Sequence, residues 1–217
     1  MSEVSRTRGS FDVLRQFVRR KPPAEACEMC GRELSSDHQH LLEPIARKLV
    51  CSCDACAILF HSQGAAKYKR VPRRVRYLPE FRLSDSQWDG LMMPINMAFF
   101  FKSTPQNRMI ALYPSAAGAT ESLLSLDTWE EIEADNPLLL EIEPDVEALL
   151  VNRIGHSRGF TRPEYYIVPI DECFKLTGLI RSRWQGLSGG GEVWTGIAEF
   201  FGSLKARSPR PAETPHA

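Results

Sequence analysis

Two apolar runs of strand length sit near the middle of the chain, "MPINMAFFFKS" and "NRMIALYPS". The "TPQN" between them, Thr104–Asn107, is turn chemistry, so the pair predicts a β-hairpin. Upstream, Arg73–Leu78 sets arginines against Val75 and Tyr77, the alternation of a strand with one charged face. Downstream, "DVEALLVNR" and "EYYIVPI" predict two further strands joined by the loop "IGHSRGFTRP". "PSAAGATES" reads as a loop of small residues. "LDTWEEIEADNP" reads as a helix with Asp127 as its N-cap, stopped at Asn136-Pro137. The period then lengthens. Phe174, Leu176, Leu179, Ile180 and Trp184 fall near helical spacing, and so do Val193, Ile197, Phe200, Phe201 and Leu204. The glycine break "QGLSGGG" between them predicts a helical hairpin.

The ends are different. Residues 1–10 read as disordered, and 11–20 as a short amphipathic helix with Phe11, Leu14 and Val18 on one side, stopped by "KPP". The Pro-rich tail "ARSPRPAETPHA" reads as disordered. The organisation expected is therefore an N-terminal amphipathic segment (1–23), a Cys/His metal-binding module (24–62), an α+β body with C-terminal helices (63–205) and a tail (206–217).

Composition allows a folded chain: of 217 residues, 43% are hydrophobic and 25% charged. The net charge is zero but unevenly spread. Residues 1–82 hold 16 Lys and Arg against 9 Asp and Glu, while residues 121–150 hold 10 acids and no Lys or Arg. Either these form opposed surfaces that face each other, or the basic stretch Lys67–Arg76 serves an anionic partner. The neutral total and the compensating acidic stretch favour a solvated arginine face over a nucleic-acid track. No apolar run reaches the ~18–20 residues of a membrane span. The N-terminus lacks the apolar core of a secretory signal. A cytoplasmic location is expected, where thiols stay reduced and clustered cysteines favour metal over disulfides.

That cluster is "CEMCGRELSSDHQHLLEPIARKLVCSCDAC", with five of the six cysteines and two of the five histidines in thirty residues. Two C-x2-C pairs separated by 22 residues approach zinc-ribbon spacing. Each pair can aim two sulfurs at one ion, Gly31 lets the backbone turn beneath, and "HQHLLEPIARKLV" can form the hairpin that joins the knuckles. Cys27, Cys30, Cys53 and Cys56 are the simplest ligand set. Cys51, His38 and His40 are alternates, the two histidines lying on one face of the expected strand. The metal expected is zinc, with an iron–sulfur cluster as the alternative, since such clusters also take four cysteines. Cys173, among Phe174 and Leu176, reads as a buried small hydrophobe.

The order Cys27/Cys30, Asp37-His38, Cys53/Cys56, His61 also resembles HNH endonucleases with a structural zinc. There His38 would be the general base, and a second metal would sit on the phosphate. Two departures count against it: residues 39–60 contain no Asn, and "AILFHS" is apolar where that family is polar. There is no G-x-S-x-G and no P-loop. No catalytic residue is assigned.

From Cys27 to Leu204 the chain resembles a bacterial family defined as a domain of unknown function. "CEMCG", "HQHLLE", "LVCSCDACAILF", "KYKRVPRRVRYL", "YPSAAGATES", "EPDVEALLVNR", "VPIDECFKLTGLIR" and "GLSGGGEVW" carry the resemblance. It implies an association with [NiFe]-hydrogenase gene clusters, and hence an accessory protein whose partner is a hydrogenase subunit or maturation factor. The fold expected is α+β: a zinc-ribbon-like module on a mixed, largely antiparallel sheet, closed by a C-terminal helical hairpin. The function expected is a non-enzymatic metal-binding accessory or interaction protein. An HNH-like nucleic-acid enzyme and an iron–sulfur electron-transfer protein are the alternatives.

Overall fold

A computed structural model describes residues 25–61, 67–123, 125–156, 159, 161–186 and 188–209. The helix expected over 11–20 and residues 210–217 of the tail lie outside the described residues.

Two antiparallel sheets organise the chain. The small one consists of β1 (Gln39–Glu43), β2 (Lys48–Ser52) and β3 (Lys69–Arg70), in the order β2-β1-β3. It is followed after β2 by a short helix, α1 (Asp54–Phe60). The large sheet has the order β4-β9-β8-β5-β6-β7. Its strands are β4 (Arg76–Tyr77), β5 (Met97–Ser103), β6 (Arg108–Ser115), β7 (Gly118–Ser122), β8 (Glu147–Asn152) and β9 (Glu164–Pro169). Every pairing among them is antiparallel, so the sheet is not mixed. The β5–β6 hairpin closes over Thr104–Asn107, with Asn107 in the left-handed region at φ 47°.

Side-chain alternation divides the large sheet between two cores. Met97, Phe99, Phe101, Leu150, Tyr166 and Val168 face one side. Ala98, Phe100, Leu149, Val151, Tyr165 and Ile167 face the other. The run "MAFFF" is apolar throughout because both faces of β5 are buried. Helices α4 (Ile170–Arg183) and α5 (Gly190–Arg207) cover the first face, through Cys173, Leu176, Ile180, Val193, Phe200 and Leu204. Helices α2 (Asp85–Gly90) and α3 (Leu126–Asp135), with a 3-10 turn at Pro137–Glu141, cover the second with Trp88, Trp129 and Ile132.

The expected helical hairpin is present. At its turn Gly189 has φ +87°, and a Cβ there would lie 2.8 Å from Val193 Cγ1. Three local readings are corrected. Within "PSAAGATES", Gly118–Ser122 forms the edge strand β7, recruited by pairing with β6 despite its small residues. The cap of α3 is Ser125, whose hydroxyl accepts the Thr128 N–H, and Asp127 lies inside the first turn. The extended reading of Arg73–Leu78 contracts to two strand residues, Arg76 and Tyr77.

The small sheet is joined to the body through one face of its hairpin. In β1, Leu41 faces inward to Val50 and Ala57, while Leu42 joins the body core with Val71 and Val75. The acidic stretch receives the basic one. Lys69 Nζ lies 2.6 Å from the buried Asp145 carboxylate, and Arg74 grips the fully buried Glu147 through Nε at 2.7 Å and Nη2 at 3.1 Å. Arg76 pairs with Glu141 at 2.7 Å, and Arg47 with Glu121 at 3.0 Å. The oppositely charged segments thus face each other. No described helix is long and apolar enough to cross a membrane.

Candidate metal centre

The first knuckle is a tight backbone loop. Gly31 N–H donates to Cys27 O, and Cys27 N–H to Arg32 O, both at 2.8 Å. Gly31 sits at φ +75°, a conformation that costs glycine nothing and other residues about a kcal/mol. The second knuckle begins where β2 ends. Cys53 occupies the N-cap of α1, Cys56 lies in its first turn, and Ala57 N–H donates to Cys53 O at 2.8 Å. Glu28 holds the two together: its N–H donates to Cys51 O, and its carboxylate accepts the Cys51 N–H, each at 2.9 Å. Lys48 adds a 3.1 Å ion pair to the same carboxylate.

The result brings Cys27, Cys30, Cys53 and Cys56 together, their four sulfurs all within 4.8 Å of one another. Cys30 and Cys53 Sγ are 3.8 Å apart. A tetrahedron of metal–sulfur bonds of about 2.3 Å has edges of about 3.8 Å. All six cysteines are free of disulfides, so the sulfurs are available as ligands. The residues fit one four-coordinate metal ion. Three of the four cysteines are buried, and Cys30 is exposed.

The thiols do not share one electrostatic environment. Burial pushes the Cys27 thiol up, but the N–H groups of Cys53, Cys30 and Met29 outweigh it and bring the group down to about 6. Cys56 is pushed up to about 12, first by burial and then by the neighbouring thiols. Without a cation the cluster favours one thiolate and resists the next.

The alternates Cys51, His38 and His40 do not join that set. They form a second group, one ligand atom from each within 4.8 Å of the others. Strand geometry is the reason. His40 stands directly opposite Cys51 across the β1–β2 ladder, so both side chains leave the same face. His38 is two residues before His40, and two residues restore the face. The rings lie 4.8 Å apart, edge to face. The sequence foretold the shared histidine face but not the cross-strand partner.

His61, the last position of the nuclease-like order, belongs to neither group, and its Nδ1 accepts the Arg70 N–H at 3.2 Å. Cys173 is fully buried, and burial, then Asp171 and Glu172, hold its thiol well above the ordinary value. Sequence reasoning missed two supporting residues. Glu28 lies between two ligands and carries no motif signal. Asp171, whose Oδ2 is 2.8 Å from His40 Nδ1, lies 131 residues away in sequence and is brought there only by the fold.

No curated protein and no solved structure matches the chain. Residues 26–208, from just before the first knuckle to the end of the helical hairpin, match the model described as "Family of unknown function (DUF5947)", and the chain belongs to that family.

Proposed function

We propose that this protein is a metal-binding accessory protein that acts by contact and not by turnover, with one zinc ion held by Cys27, Cys30, Cys53 and Cys56. The observation that carries this reading is the sulfur geometry: four thiols within 4.8 Å, one pair at the edge length of a zinc–thiolate tetrahedron. A polynuclear iron–sulfur core must place several irons and sulfides between its cysteines. A spread of 4.8 Å suits a single ion better. A shell filled by four thiolates leaves no position for substrate or activated water, so this ion would organise the module and not react.

Contact surfaces are at hand. Ile58, Leu59 and Phe60 on α1, the helix that carries Cys56, are exposed. Solvent-exposed large apolar groups grouped on one module suit a protein partner. The resemblance noted from the sequence makes a [NiFe]-hydrogenase subunit or maturation factor the partner to test first.

The decisive measurement is metal analysis of anaerobically purified protein. One equivalent of zinc, lost in Cys27→Ser or Cys56→Ser together with the fold of residues 25–61, is the expected result. Visible colour with stoichiometric iron and sulfide would replace zinc by a cluster. For the partner, deletion of the gene in a host that makes such a hydrogenase should leave the large subunit unprocessed or unassembled. Normal assembly there would remove the hydrogenase reading. Metal-dependent cleavage of nucleic acid that disappears in His38→Ala would replace the contact role by an enzymatic one.

A further inference from the structure

The group formed by His38, His40 and Cys51 lies outside the four-cysteine centre, on the hairpin face turned toward the body. We infer that it is a second metal site, one that binds a borderline divalent transition-metal ion through three protein ligands and keeps a fourth position open.

Three observations carry this. The first is convergence: one ligand atom from each residue lies within 4.8 Å of the other two, on one face of the hairpin. The second is the state of the two imidazoles. His38 Nδ1 is 2.9 Å from the Ser35 carbonyl, an acceptor only, so Nδ1 carries the proton and Nε2 the lone pair. That Nε2 is buried without a hydrogen-bond partner, on a side chain only 7% exposed. A buried, unpartnered nitrogen is costly unless something binds it. The third is Asp171. Its carboxylate, 2.8 Å from His40 Nδ1, fixes the same tautomer there and leaves Nε2 as the ligand atom. A carboxylate behind a metal-binding histidine orients the ring and raises its basicity. Two histidines of matched tautomer, one backed by a carboxylate, beside a thiol, form a donor set for zinc, cobalt or nickel more than for magnesium or calcium.

Three protein ligands leave a tetrahedral ion one position, for water or for a donor atom from another molecule. The His40 side chain is 26% exposed, so the group is not sealed from solvent. On binding, Cys51 gives its proton to solvent and coordinates as thiolate. The site also straddles the junction of the two sheets' units, since His40 and Cys51 belong to the hairpin and Asp171 to the first turn of α4.

This inference is independent of the four-cysteine reading, and the experiment separates them. Full-length protein, purified reduced and anaerobically with its zinc, is titrated with Co2+ and followed by thiolate-to-cobalt absorption, with zinc measured in parallel. One further equivalent of Co2+ is expected beyond the retained zinc. His38→Ala and Cys51→Ser should weaken that uptake by at least about 100-fold while the zinc stays. Asp171→Ala, which removes no ligand, should weaken it by about 10–100-fold with zinc unchanged. If His38→Ala also disturbs the module, His40→Gln and Asp171→Ala decide. Wild-type protein that takes up no second ion, or uptake equal to wild type in both of these variants, overturns the site. Protein that retains no zinc yet binds one Co2+ lost in His38→Ala would remove the four-cysteine reading and leave this one standing.

Discussion

Cys27 and Cys56 occupy one cluster yet hold their protons very differently. Three backbone N–H groups favour the Cys27 thiolate, near 6, whereas burial and the surrounding thiols push Cys56 to about 12. At neutral pH the metal-free cluster is therefore partly protonated, and a divalent ion must displace protons to gather four thiolates. The sign follows from that competition. Raising the pH removes the competing protons and tightens binding; lowering it restores them and loosens the ion. Metal added to the reduced, metal-free protein in weak buffer should release protons, and apparent affinity should rise from pH 6 to pH 8. Affinity flat over that range, with no proton release, would speak against a thiolate shell. The gap between Cys27 and Cys56 could not be read from sequence, where both are simply members of C-x2-C pairs. It depends on which cysteine lies under the backbone N–H groups, Cys53's from the opposite knuckle first and then those of Cys30 and Met29 from its own.

At the scale of elements, the legible part was whatever carried its own period. The β5–β6 hairpin, β8, β9 and both C-terminal helices stand where the apolar pattern put them, the strands as near-continuous buried runs and the helices through buried positions at helical spacing. Short elements were lost. Helix α2, six residues with Trp88 as its buried side chain, is set by the reciprocal Ser84–Gln87 capping box and not by periodicity. Edge strand β7 exists because β6 offers it a ladder, a fact about a neighbour. The same holds in the candidate site: the C-x2-C pairs were visible, whereas the His40–Cys51 pairing needed a register. The α4–α5 turn gives a test at this scale. Gly189→Ala must hold a left-handed φ and also push Cβ into Val193, so a loss of about 1–3 kcal/mol is expected in urea unfolding. Gly202→Ala, on the exposed face of α5 with open space at its Cβ, should instead gain about 0.5–1 kcal/mol. Equal effects from the two would show that the turn does not depend on glycine.

For the molecule as a whole, the question is what keeps the cysteine module seated on the body. Apolar contact contributes through Leu42, Val71 and Val75, which share a core with Phe99 and Tyr166. Charge then fixes the orientation. The segment leaving β3 carries Arg73, Arg74 and Arg76, whose acidic partners differ widely in burial: Asp37 in the cysteine module, Glu141 and Glu147 in the body. Asp37 and Glu141, the partners of Arg73 and Arg76, are largely exposed, so those pairs are worth little. Glu147 is different: its carboxylate is wholly buried and takes two guanidinium N–H groups and the Glu143 N–H. Removing Arg74 would leave a buried anion with one backbone donor. Breaking a fully buried pair costs about 3–5 kcal/mol, but the Arg74 side chain is 56% exposed and water can partly replace it. Arg74→Ala is therefore expected to cost about 1–3 kcal/mol, against at most a few tenths for Arg73→Ala. Adding Glu147→Gln to Arg74→Ala removes the stranded charge and should recover part of the loss, a non-additivity that a double-mutant cycle in urea would measure. Strictly additive losses would mean that the two side chains do not act as a pair. In that case the apolar contacts and the Lys69–Asp145 and Arg47–Glu121 pairs would hold the module to the body.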